Sequence, residues 1–163
     1  MSRGLFKYEV FITPRYQNDI KLSQTEVFDR LSEFEVFERM AIKRGARVNR
    51  IDESEDISEG LKWRIGFTFR GRNRSFEVNL IEADVPNSLV FDADNPSVAG
   101  KTRIDVIPLS RTQTRLKVEA VIQLKTLGAR LLVQSMKLAR SKFNRRFARR
   151  VQDLAEGLEA GFE

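Results

Sequence analysis

The spacing of apolar residues changes twice along this chain, and that double change limits the available folds more than anything in the composition. Val27, Phe28, Leu31, Phe34, Phe37 and Met40 recur at helical steps of three and four. From about residue 46 to 124 the period falls to two. There Leu61, Trp63, Ile65, Phe67 and Phe69 alternate with Lys62, Arg64, Gly66, Thr68 and Arg70, the pattern of a strand with one buried and one wet face. Helical spacing returns with Leu132, Met136, Ala139, Phe143, Phe147, Val151, Leu154 and Leu158. Each layer must bury its apolar side against another, so this order predicts an α+β fold, an antiparallel sheet covered by a terminal helix.

Local signals place the boundaries. Ser23 followed by Glu26 has the spacing of a capping box, which starts a helical segment over 24–43 that parts near Ser32 and ends at Gly45. Residues 6–21 are rich in β-formers and predict one strand before it. In Arg70-Gly71-Arg72-Asn73, Gly71 and Asn73 can supply the positive φ of a tight hairpin, and Phe76, Val78 and Leu80 mark the returning strand. Further strands are expected at 88–94, 102–107 and 114–124, bounded by Pro86-Asn87, Asn95-Pro96, Ala99-Gly100 and Ser110-Arg111-Thr112. Thr126 can cap one long helix over about 127–159, roughly 50 Å at 1.5 Å per residue. No repeat or linker divides the 163 residues, which predicts a single domain over 1–163.

The chain has neither cysteine nor histidine. Ser-His-Asp and Cys-His catalysis, redox dithiols, disulfides and zinc sites of nitrogen and sulfur ligands are thereby excluded. The acidic cluster Asp52, Glu53, Glu55, Asp56 and Glu59 lacks the spacing of a calcium loop and reads as a solvated loop, so no metal or cofactor is expected. No apolar run approaches the ~20 residues of a membrane span. The segment MSRGLFKYEVFITPRY breaks its apolar residues with Lys7, Glu9 and Arg15, so no secretion signal is read and the expected compartment is the cytoplasm.

Charge is concentrated. Residues 101–150 carry 14 basic and two acidic residues, and Lys137, Arg140, Lys142, Arg145, Arg146, Arg149 and Arg150 fall within one stretch free of acids. Such a field attracts anions. Nucleic acid fits poorly, because the aromatics needed for stacking follow the inward period and no helix-turn-helix, RNA-recognition or phosphate-loop pattern occurs. An anionic membrane surface fits better; a solvated helix face is the plain alternative.

The helices of TEVFDRLSEFEVFER, the hairpin EGLKWRIGFTFRGRNRSFEV, the strands DVPNSLVFDAD and TQTRLKVEAVI and the long closing helix together resemble the SRPBCC or START-like superfamily, which includes polyketide cyclases, birch-pollen-allergen type proteins, lipid-transfer domains and coenzyme Q chaperones. The resemblance implies a helix-grip fold, a curved sheet of about seven strands wrapped around the C-terminal helix with two short helices after the first strand. It also implies an apolar cavity that holds a hydrophobic small molecule or lipid, in a monomer or weak dimer. A cyclase or aromatase is the runner-up, weakened by the absence of histidine and by having only Tyr8 and Tyr16 as phenols.

The inward faces supply Trp63, Phe67, Phe69, Phe76 and Phe91, opposed by Met136 and Phe143 on the last helix; these can line a cavity or form closed core. On a helical wheel Arg140 falls inside the stripe of Met136, Phe143 and Phe147. Its guanidinium would suit a ligand carboxylate or phosphate, or else pair internally with Glu119 or Asp105. Asp92 and Asp94 share a strand face, but Phe91 and Ala93 alternate with them and claim the interior, so the acids are expected in water.

Overall fold

The computed structural model describes residues 10–51, 60–69, 71–134 and 137–162, and leaves aside the side chains of Val10, Phe11, Phe69 and 132–140. Eight strands form one antiparallel sheet: β1 (Val10–Ile12), β2 (Arg15–Ile20), β3 (Arg47–Arg50), β4 (Lys62–Phe69), β5 (Arg72–Asp84), β6 (Ser88–Asp94), β7 (Val98–Ser110) and β8 (Gln113–Leu124). They are ordered β1-β8-β7-β6-β5-β4-β3, with β2 following β1 along the same edge of β8, so the sheet is seven strands wide. Two short helices, α1 (Gln24–Leu31) and α2 (Phe34–Lys43), join β2 to β3. The C-terminal helical region comprises α3 (Leu127–Gln134) and α4 (Lys137–Ala160).

The expected single strand over 6–21 is two strands among its described residues. Pro14 has no N–H to give, yet its carbonyl accepts from Ala120 at 2.9 Å, so the pairing with β8 runs on past the break. Ala99-Gly100, read as a turn, lies inside β7, where Gly100 stands opposite Ala93 and Ile122. The turn is made instead by Asn95, whose Oδ1 accepts from the backbone N–H of Ser97 and of Val98, both at 2.8 Å. Asn73 likewise belongs to β5, opposite Thr68, and Gly71 supplies positive φ at that hairpin, at 73°.

The helices begin and part as their residues dictate. Ser23 Oγ accepts from the Glu26 N–H at 3.3 Å, and the Ser32 hydroxyl donates to the Phe28 carbonyl at 2.7 Å where α1 ends. Thr126 Oγ1 accepts from the Ala129 N–H at 3.1 Å and starts α3. The helix expected over 127–159 is described as α3 and α4, with 135 and 136 outside the described residues.

The core lies between the inner face of the sheet and the helices. Ile20, Val27, Phe28, Leu61, Leu80, Leu89, Leu116 and Leu158 are essentially inaccessible, each side chain of this kind contributing about 1.5–3 kcal/mol by burial. Val151, Ala155 and Leu158 carry α4 onto this core, against β2 and α1. Arg30 of α1 completes that junction, its Nη1 donating to the carbonyls of Leu158 at 2.6 Å and Glu159 at 3.1 Å. These last-turn carbonyls have no partner within the helix, so the guanidinium both satisfies them and fixes α4 to α1. A bulge between Leu80 and Glu82 bends β5 across the middle of the sheet.

Candidate functional site

Between α2, the inner face of the sheet and α4 lies a cavity of about 250 Å³. The sheet builds most of it through its two-residue period. Trp63 and Ile65 of β4, Val78 of β5, Phe91 of β6 and Ile104 of β7 all point the same way, because they sit on the inner face of successive strands. α2 supplies the opposite wall with Phe34, Phe37, Glu38 and Ala41, which are spaced i, i+3, i+4 and i+7 and so share one helix face. Leu154 of α4 contributes from the long helix.

Three aromatic rings hold one corner. Phe34 meets Trp63 edge-on at 5.5 Å between centroids and Phe91 at 6.1 Å, while Trp63 and Phe91 lie 6.2 Å apart. Edge-to-face pairs of this kind add about 0.5–1.5 kcal/mol each beyond area burial. They also present a stiff, flat surface.

Every described residue of the lining is apolar except Glu38. Trp63 Nε1 donates to Glu38 Oε1 at 2.8 Å, and the Nη1 of Arg50 stands 3.9 Å from the same oxygen. Arg50 is directly opposite Trp63 in the β3–β4 register, its guanidinium carbon 5.8 Å from the centre of the indole ring. The carboxylate is thus tied to Trp63 and Arg50, and the exposed surface of the cavity is almost wholly apolar.

Trp63 and Phe91, named from the sequence, are on the cavity wall. Phe67 and Phe76 stack on one another, 5.7 Å apart and 7° from parallel, and lie outside the lining. Phe143 is half-buried on α4 and is not in the lining either. Met136 and the side chains of Phe69 and Arg140 lie outside what is described. The acids suggested as partners for Arg140 are engaged elsewhere. Asp105 accepts from Arg103 Nε at 2.9 Å, and Glu119 lies 3.0 Å from Lys117 Nζ, whose hydrogen bond holds its carboxyl below the usual carboxylate range. Asp92 accepts from Asn79 and Asp94 from Lys125, so the two acids serve the sheet surface. The cluster at 52–59 is outside the described residues.

The sequence pattern missed Phe34, Phe37, Glu38 and Leu154 as site residues. A signal was present, since Glu38 takes the i+4 place of a stripe that is otherwise Phe34, Phe37 and Ala41.

No protein-family model matches the chain, and no curated protein matches it. Solved structures do match in fold. Norcoclaurine synthase from Thalictrum flavum is 12% identical with a TM-score of 0.66, over 95% of this chain and 97% of that one. The protein TTHA0849 from Thermus thermophilus is 13% identical with a TM-score of 0.69, over 93% and 100%. The Zhui aromatase/cyclase from Streptomyces sp. R1128 is 11% identical with a TM-score of 0.64, over 91% and 95%. The chain therefore has the helix-grip fold of the START-like proteins.

Proposed function

We infer that the protein binds a small hydrophobic molecule in the cavity beneath α2, as a single START-like domain acting by sequestration. The observation that carries this reading is a cavity of about 250 Å³ whose exposed lining is almost wholly apolar, as the lining of small-molecule sites predominantly is. Aromatic burial against Phe34, Trp63 and Phe91 would supply affinity. A cyclase-type enzyme is the weaker reading, because Glu38 is the one titratable side chain on the wall among the described residues.

A ligand that binds only the folded state stabilises it by about 2.7 kcal/mol at a hundredfold excess over Kd, roughly 5–10 °C in a domain of this size. Protein purified without detergent should show that rise in melting temperature with small aromatic ligands. No rise with any apolar ligand would make the cavity part of a closed core.

A second reading concerns the surface. Lys142, Arg145, Arg146 and Arg149 of α4 are exposed, lie together, and make no ion pair among the described residues. Leu127 and Leu131 of α3 are 68% and 54% exposed, one turn apart. Cations and bare leucines on neighbouring helices suit a peripheral contact with anionic lipid.

A further inference from the structure

We propose that the cavity selects a hydrocarbon of one or two rings, and that Glu38 is the positioning residue that keeps it selective, by holding the Trp63 N–H out of a ligand's reach. This deepens the reading of the cavity as a ligand site and rests on it.

Among the described lining residues two side chains carry polar atoms, Trp63 and Glu38, and each is engaged by the other. Trp63 Nε1 donates to Glu38 Oε1 at 2.8 Å, and Arg50 Nη1 stands 3.9 Å from the same oxygen. An indole has that single donor and no acceptor, so the bond exhausts what the ring can offer. The main chain of the sheet wall is engaged as well, because β4, β5, β6 and β7 each pair with a strand on both sides. What remains exposed to the cavity is almost wholly apolar.

The ligand chemistry follows from that wall. Hydrocarbon gains free energy by leaving water, whereas a polar group moved to a place without partners loses its hydration and recovers nothing. A hydroxyl, amide, ammonium or carboxylate would each arrive without a partner on the described wall, the carboxylate expected beside Arg140 included. A dry apolar cavity of about 150 Å³ takes benzene. The volume of about 250 Å³ here suits one ring with a short chain or two fused rings.

The same wall explains an acid on this face of α2. An apolar side chain at position 38 would match Phe34, Phe37 and Ala41, but it would leave the Trp63 N–H without its acceptor. An unpaired donor beside the cavity would reward a ligand carbonyl. With Glu38 in place, the indole joins the wall as an apolar surface, in edge-on contact with Phe34.

The test measures dissociation constants of propylbenzene, 2-phenylethanol and acetophenone by calorimetry, beside the partition of each probe from water into hexadecane and into octanol. Hexadecane cannot hydrogen-bond a solute and octanol can. For wild-type protein the affinity ratio of propylbenzene to 2-phenylethanol should follow the hexadecane partition. A ratio nearer the octanol partition would reveal a polar partner in the cavity and overturn the proposal while leaving the ligand site intact, and this comparison needs no variant to fold. Glu38→Met should raise the affinity of acetophenone relative to propylbenzene severalfold, as one new hydrogen bond allows. Glu38→Gln, which keeps an acceptor for the indole, should retain the wild-type ratio. The wild-type ratio in folded Glu38→Met, or the same gain in Glu38→Gln, would overturn the role of Glu38. Failure of all three probes, propylbenzene included, would remove both the proposal and the cavity reading beneath it.

Discussion

A methyl group added at Gly157 would collide with the ring of Phe162, which lies edge-on to Phe37, 5.4 Å between centroids. Phe37 in turn lines the cavity, so a position on α4 touches the site through two rings. Glycine inside a helix ordinarily costs about 1 kcal/mol relative to alanine, and Gly157→Ala in an unobstructed helix would stabilise by that amount. Here the variant is expected to lose stability, because Phe162 must leave its place. In a Phe162→Ala background the same substitution should recover the ordinary gain. Melting curves of the four proteins decide it, and a single variant more stable than wild type would show that Phe162 does not pack there. Glu38 makes the same point about neighbours. Its spacing within the α2 stripe was legible from the sequence, but its partners Trp63 and Arg50 come from β4 and β3, and no local pattern pairs a helix residue with a strand 25 positions away.

At the scale of elements, α4 divides its work along its length. Val151, Ala155 and Leu158 near its end are buried, with Arg30 closing the last turn, whereas Lys142, Arg145, Arg146 and Arg149 nearer its start face water. The double variant Arg145→Glu, Arg149→Glu reverses two charges on that face without touching the core. With each cation worth about 1 kcal/mol near an anionic bilayer, sedimentation with acidic vesicles should be lost in this variant and should weaken for wild type as salt rises. Indifference of the wild type to vesicle charge would dispose of the lipid contact. The elements themselves were largely legible. Ser23, Ser32, Thr126 and Gly71 act where their chemistry predicts, since caps and tight turns are decided within a few residues. Errors came where pairing overrode local preference: β7 runs through Ala99-Gly100 because β6 and β8 hold it on both sides, and Pro14 interrupts an edge strand whose pairing nonetheless continues.

Taken whole, the molecule places an open space where a closed core would be expected. The aromatic residues proposed from the sequence fall into two groups in the structure, Trp63 and Phe91 at the cavity, Phe67 and Phe76 stacked outside its lining. The sequence pattern does not separate them, because inward-facing positions of one strand look alike whatever they meet across the sheet. The opposite wall from α2 and the reach of α4 decide which of them see the void, and those are properties of the packed chain. The chain contains one tryptophan, and Trp63 is on the cavity wall. Its emission therefore arises at the cavity wall, and competition by a cavity ligand separates dye held there from dye bound elsewhere. The most direct measurement is a titration with the neutral apolar dye N-phenyl-1-naphthylamine, following energy transfer from Trp63, with propylbenzene as competitor. Ligand in the cavity predicts saturable quenching of Trp63 at one dye per chain, reversed by propylbenzene. Trp63 emission unchanged at saturating dye, or quenching that propylbenzene fails to reverse, would contradict a ligand cavity at this site.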